Sequence, residues 1–158
     1  MKAVSVKEIR QELKDLSPTE IQNICLRLSR FKKENKELLT YLLFESHDEA
    51  GYIESVKNHI NESFEIINTD SYYYIRKSVR KILRNVKKYI RYSQKKETEV
   101  ELLLYFCKKL KTFKPTINKS TQLQNMYLRQ LNLAKKQLAN LHEDLQYDFN
   151  LVIEELEA

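Results

Sequence analysis

Only one glycine, Gly51, occurs in this chain of 158 residues, and only two prolines, Pro18 and Pro115, accompany it. Tight hairpins need positive φ and draw on Asn-Gly or Asp-Gly pairs, and none is present. Sheets connected by short turns are therefore excluded, while almost nothing interrupts a helix. Leu, Lys, Glu, Ile and Gln are abundant, and most of them are good helix formers. The expected fold is all-α, with six to eight helices in antiparallel hairpins.

Capping chemistry and apolar spacing place the helices. Ser5 with Glu8 forms a capping box before Val6, Ile9, Leu13 and Leu16, which predicts a first helix over 6–15. Ser17-Pro18-Thr19-Glu20 is the sharpest start in the chain, with an N-cap, a proline at the first helical position and Glu at the third. Ile21, Ile24, Leu28 and Phe31 follow it at spacings of three and four.

A third helix is expected over 34–46. Leu38, Leu39, Tyr41, Leu42, Leu43 and Phe44 surround most of its circumference, which predicts burial on several sides. A fourth runs from Asp48-Glu49 to about Ile67, with Gly51 in its first turns as a site of close packing or as part of the turn. Asn68-Thr69-Asp70-Ser71 has turn and cap chemistry before a fifth helix over 71–93. Thr98-Glu99 marks the start of a sixth, apolar nearly all round from Leu102 to Cys107 and ended by Lys114-Pro115.

The segment from Ser120 onward keeps three-four spacing throughout. It reads as one long helix, or as two broken near Asn140–Asp144, with the break favoured because an unbroken helix would project beyond so small a core. Helices one and two, three and four, and five and six would pair as hairpins. A compact bundle and a short helical-repeat array both fit, within a single domain over 1–158.

No apolar run approaches the length of a membrane span, and residues 1–8 contain no apolar signal region. Cys25 and Cys107 have no CxxC spacing and sit among apolar residues, which predicts two reduced core thiols and a cytoplasmic setting.

Charge is distributed unevenly. Between Tyr72 and Lys96 there are ten Lys or Arg residues and no acid. At 100° per residue, Ile75, Val79, Ile82, Leu83, Val86, Tyr89 and Ile90 share an arc of about 120°. Arg76, Lys77, Arg80, Lys81, Arg84, Lys87, Lys88 and Arg91 occupy about 140° on the opposite side. Like charges at i and i+4 each cost roughly a few tenths of a kcal/mol, so something must offset them.

Internal neutralisation is one answer. Glu54, Glu62 and Glu65 of the preceding helix flank this face in sequence, and residues 143–158 hold six acids and no base. The other answer lies outside the chain. An acidic protein partner is the first reading. Nucleic acid on the same face is the second, with Tyr72, Tyr73, Tyr74, Tyr89 and Tyr92 as stacking groups. An anionic membrane surface fits less well, since Trp is absent and the apolar arc is needed for a core. The amphipathic C-terminal segment also permits a homo-oligomer.

Enzyme chemistry finds little support. One glycine excludes a phosphate-binding loop, a dinucleotide fingerprint and a nucleophile elbow. His47, His59 and His142 are scattered, and His59 with Glu62 reverses the Glu-x-x-His order of bundle dimetal sites. The expectation is a non-enzymatic interaction or scaffold module without cofactor. A third reading is an enzyme or metal-binding protein built on the carboxylates and histidines of residues 45–65.

Overall fold

The computed structural model describes all residues, Met1–Ala158. Eight α-helices make up the fold, and no strand occurs: α1 (Val6–Lys14), α2 (Pro18–Phe31), α3 (Lys33–Thr40), α4 (Glu49–Glu65), α5 (Tyr72–Ser93), α6 (Lys96–Thr112), α7 (Thr121–Leu138) and α8 (Glu143–Glu157). None is long and apolar enough to cross a membrane. The chain divides into two compact units, Met1–Phe44 and Glu45–Ala158.

In the first unit both capping boxes form. Ser5 N donates to Glu8 Oε2 at 2.8 Å while Glu8 N donates to Ser5 Oγ at 3.3 Å. The corresponding distances for Ser17 and Glu20 are 2.7 Å and 3.2 Å. Helix α2 packs against α3 across an extended Lys32, and Asn35 Nδ2 reaches back to the Leu28 carbonyl at 2.8 Å.

The third helix departs from the expectation of a buried rod over 34–46. Helix α3 stops at Thr40 and continues as a π-helical turn, Tyr41–Glu45. Of that apolar cluster only Tyr41 is buried, while Leu42, Leu43 and Phe44 are 53%, 62% and 69% exposed. Apolar spacing records which side chains seek cover, not whether cover exists. A unit of this size has too few elements to supply it.

The second unit is organised by α6, which touches α4, α5, α7 and α8. Val100, Leu102, Leu103, Leu104, Phe106, Cys107 and Leu110 are all buried and cover about 200° of its circumference, a wider apolar face than a surface helix needs. Phe64 of α4 meets Phe106 and Phe113 at ring-centroid separations of 6.0 Å and 5.8 Å.

A polar seam sets the register of α4 on α6. Lys57 Nζ donates to Glu101 Oε1 at 2.7 Å, and one turn on Tyr105 Oη donates to Asn61 Oδ1 at 2.8 Å. The constant offset means that α4 and α6 run parallel. Their N-terminal ends are joined by Glu49, which accepts from Ser93 and from Thr98 Oγ1 (2.6 Å) through Oε1 and from Lys95 Nζ (3.0 Å) through Oε2.

Two local expectations change for tertiary reasons. Thr98 does not cap α6, which starts two residues earlier at Lys96. Its hydroxyl is spent on Glu49 instead. Gly51 lies in the first turn of α4, where its N–H donates to the capping Asp48 Oδ1 at 3.1 Å. A Cβ there would fall 2.3 Å from Asp48 Oδ2, so a larger residue would displace the capping carboxylate; the glycine's φ is not positive.

The C-terminal segment is two helices. The chain turns at Asn140 and Leu141, and His142 Nδ1 accepts from Asp144 N at 3.3 Å to open α8. The far end of α8 is held by Tyr127 Oη on the Leu156 carbonyl (2.7 Å) and by Lys111 Nζ on the Glu155 and Leu156 carbonyls (3.0 Å each). These donors satisfy carbonyls that a helix C-terminus leaves without partners. Burial, with smaller contributions from Cys107 and Glu157, pushes the Tyr127 phenol up to about 12.

The two cysteines are both free, and they differ. Cys107 is fully buried, and burial pushes its thiol up to about 12. Cys25 is half-buried on a groove with Leu28, Leu38, Leu39 and Leu42, which corrects the expectation that it is a core residue. Thiolate and access together control reaction with disulfide reagents. One thiol per chain, Cys25, is therefore expected to titrate with an aromatic disulfide in native buffer, and both in denaturant. Two fast-reacting thiols in the native protein would contradict the packing of α6.

Candidate functional site: the cationic face of helix α5

Helix α5 is a single rod with well-defined ends. Ser71 Oγ accepts from Tyr74 N at 3.5 Å at its start. At its end Gln94 adopts the left-handed conformation, φ 59°, and its N–H bonds the Ile90 carbonyl at 2.9 Å. Ile75, Val79, Ile82, Val86 and Ile90 are buried, so the apolar arc faces the second unit's core. The rod also touches α4 and α6.

The cations lie on the other side. Lys77, Arg80, Lys81, Arg84, Lys87 and Arg91 are exposed, and Arg76 and Lys88 are half-buried. Their stems lie along the helix while the charged heads reach water. No carboxylate lies within the 4.0 Å ion-pair distance of Arg76, Lys77, Arg80, Lys81, Arg84, Lys87 or Arg91. Lys88 Nζ sits 5.1 Å from the centroid of the Tyr89 ring.

The acids expected to neutralise this face are engaged elsewhere or stand away. Glu54 and Glu101 both hold Lys57, at 2.9 Å and 2.7 Å. Glu49 holds Lys95, and Glu157 holds Lys135. Glu62 and Glu65 form no ion pair. Glu99 alone records the field of the ridge: burial raises its carboxyl, and the charge of Lys87 opposes that rise without cancelling it.

The five tyrosines separate into two groups. Tyr72 Oη donates to the Thr116 carbonyl at 2.8 Å. Tyr92 is buried, and Tyr89 meets Tyr92 and His59 edge-on at 6.1 Å and 5.7 Å. Tyr73 and Tyr74 remain exposed, as a T-shaped pair with centroids 5.4 Å apart. Tyr73 belongs to the ridge itself, because 73, 77, 80 and 84 follow one another at spacings of four, three and four. That periodicity was legible in the sequence, but a search confined to charged residues passes over it.

The histidines do not converge. His47 and His142 are exposed, His59 packs against Tyr89, and no group of three or more His, Cys, Asp or Glu side chains is placed to hold a metal ion. The arrangement is a row of exposed cations along one side of α5 with an exposed aromatic pair at one end. No family model, no curated protein and no solved structure matches this chain.

Proposed function

We propose that the protein is a non-enzymatic interaction module that docks an acidic protein surface on the cationic face of α5. The observation that carries this reading is the missing carboxylate: seven of the eight cations have none within 4.0 Å. Seven like charges without a carboxylate within 4.0 Å are stabilised by a counter-charge from outside. The exposed Tyr73 among Arg and Lys has the composition of a binding hot spot, where Tyr and Arg are enriched.

Nucleic acid is the weaker reading. Binders of single strands stack successive bases on open aromatic rings. Tyr72, Tyr89 and Tyr92 are occupied or buried, which leaves only the pair at one end of the rod. The face is also one convex helix rather than a groove that could track a backbone.

Two titrations by fluorescence anisotropy separate these readings, one with a labelled Glu-rich helical peptide and one with a labelled oligothymidylate. The peptide is expected to bind the wild type, and to bind more weakly as salt shortens the Debye length. The variant R80E/R84E/R91E is expected to lose about tenfold to a hundredfold in affinity, from three interactions of up to about 1 kcal/mol each. Tighter binding of the oligonucleotide than of the peptide would replace this proposal with the second reading.

A further inference from the structure

We infer that the acidic surface that docks on α5 is helix α8 of a second copy of this chain. The inference rests on the reading of the α5 ridge as an open docking face, and it names the occupant.

Helix α8 is the charge complement of α5. Residues 143–158 contain six acids and no Lys or Arg, against ten cations and no acid between Tyr72 and Lys96. Ile153 and Leu156 are the buried side of α8. The opposite side carries Tyr147 and Leu151, which are 68% and 48% exposed, with Asp144, Asp148 and Glu155 along the same arc, all exposed. Asp148 and Glu155 take part in no ion pair, and Asp144 meets only the exposed His142.

The two faces also match in spacing. Asp144, Asp148, Leu151 and Glu155 follow at intervals of four, three and four, as do Arg80, Arg84, Lys87 and Arg91. Each set is one stripe along a helix. Two parallel rods with the same repeat can meet side by side with Asp144, Asp148 and Glu155 opposite Arg80, Arg84 and Arg91, and Leu151 opposite the aliphatic stem of Lys87. Tyr147, next to Asp148 and exposed, supplies aromatic area beside the charges. Each copy carries both faces, so the contact joins copies through two unlike surfaces.

Salt and charge exchange test this. Sedimentation velocity of the full chain at about 20 mM salt is expected to show association that grows with concentration and disappears at about 500 mM. R80E/R84E/R91E and, separately, D144K/D148K/E155K are each expected to weaken association by about tenfold or more. A chain carrying both sets of reversals is expected to recover it to within about threefold, since every pair is restored with its signs exchanged. Circular dichroism confirms that each variant is folded. A monomer at every concentration in low salt, association indifferent to either reversal, or failure of the doubly reversed chain to recover would overturn the inference. In the first case, binding of the labelled acidic peptide to the monomer would leave the ridge reading standing and remove only the second copy as its occupant.

Discussion

Replacing Phe106 with alanine is expected to lower the unfolding free energy of the second unit by about 4 kcal/mol, as deletion of a fully buried aromatic side chain does. Phe106 has no exposed surface and lies on α6, the one helix that touches α4, α5, α7 and α8. Its ring meets Phe64 across the α4 interface. Collapse around the deleted ring would require several helices to shift at once, so the cavity term adds to the lost transfer energy. Phe106→Leu keeps most of the volume and is expected to cost only about 1 to 2 kcal/mol. Urea unfolding followed by circular dichroism, with exposure of Cys107 to a thiol reagent as a second probe, reads both. Equal midpoints for the wild type and the alanine variant would show that α6 is not the centre of this unit.

The second large effect is expected at Glu49. Its carboxylate gathers the Ser93 and Thr98 hydroxyls and the Lys95 ammonium, tying the start of α4 to the turn between α5 and α6. Glu49→Ala leaves the hydroxyl of Thr98, a residue 1% exposed, and that of Ser93, a residue 8% exposed, without this acceptor. A buried polar group that loses its partner costs about 1 to 3 kcal/mol. Lys95 adds little, because its side chain is 50% exposed. A total loss of about 3 kcal/mol is expected for Glu49→Ala from the two hydroxyls. Glu49→Gln keeps an acceptor oxygen and should cost about half as much. Hydrogen exchange should localise the change to the first turns of α4 and α6. A loss confined to α8, or none at all, would show that this carboxylate does not organise the turn.

Much of the architecture was legible in residues 1–158 because it depends on local chemistry. The two capping boxes need only Ser and Glu three residues apart, and the start of α5 needs only Ser71. The apolar arc of α5 and the wide apolar face of α6 follow from the helical repeat. The break between α7 and α8 was favoured by length near Asn140–Asp144, and the structure turns there. The cationic face was visible for the same reason: eight charges at helical spacing occupy one side of a helix.

What tertiary structure decided is which groups find partners. Thr98 has the local chemistry of a cap and serves Glu49, because a buried hydroxyl gains more from a carboxylate than a frayed first turn gains from a cap. Leu42, Leu43 and Phe44 have the spacing of a core and stay exposed. Glu54, near α5 in sequence, pairs with Lys57 on its own helix and not with the α5 cations. A sequence determines periodicity, caps and the faces of each helix, since these depend on neighbours within a turn or two. Burial, and pairs such as Lys57 with Glu101 or Thr98 with Glu49, depend on groups far along the chain that only packing brings within reach.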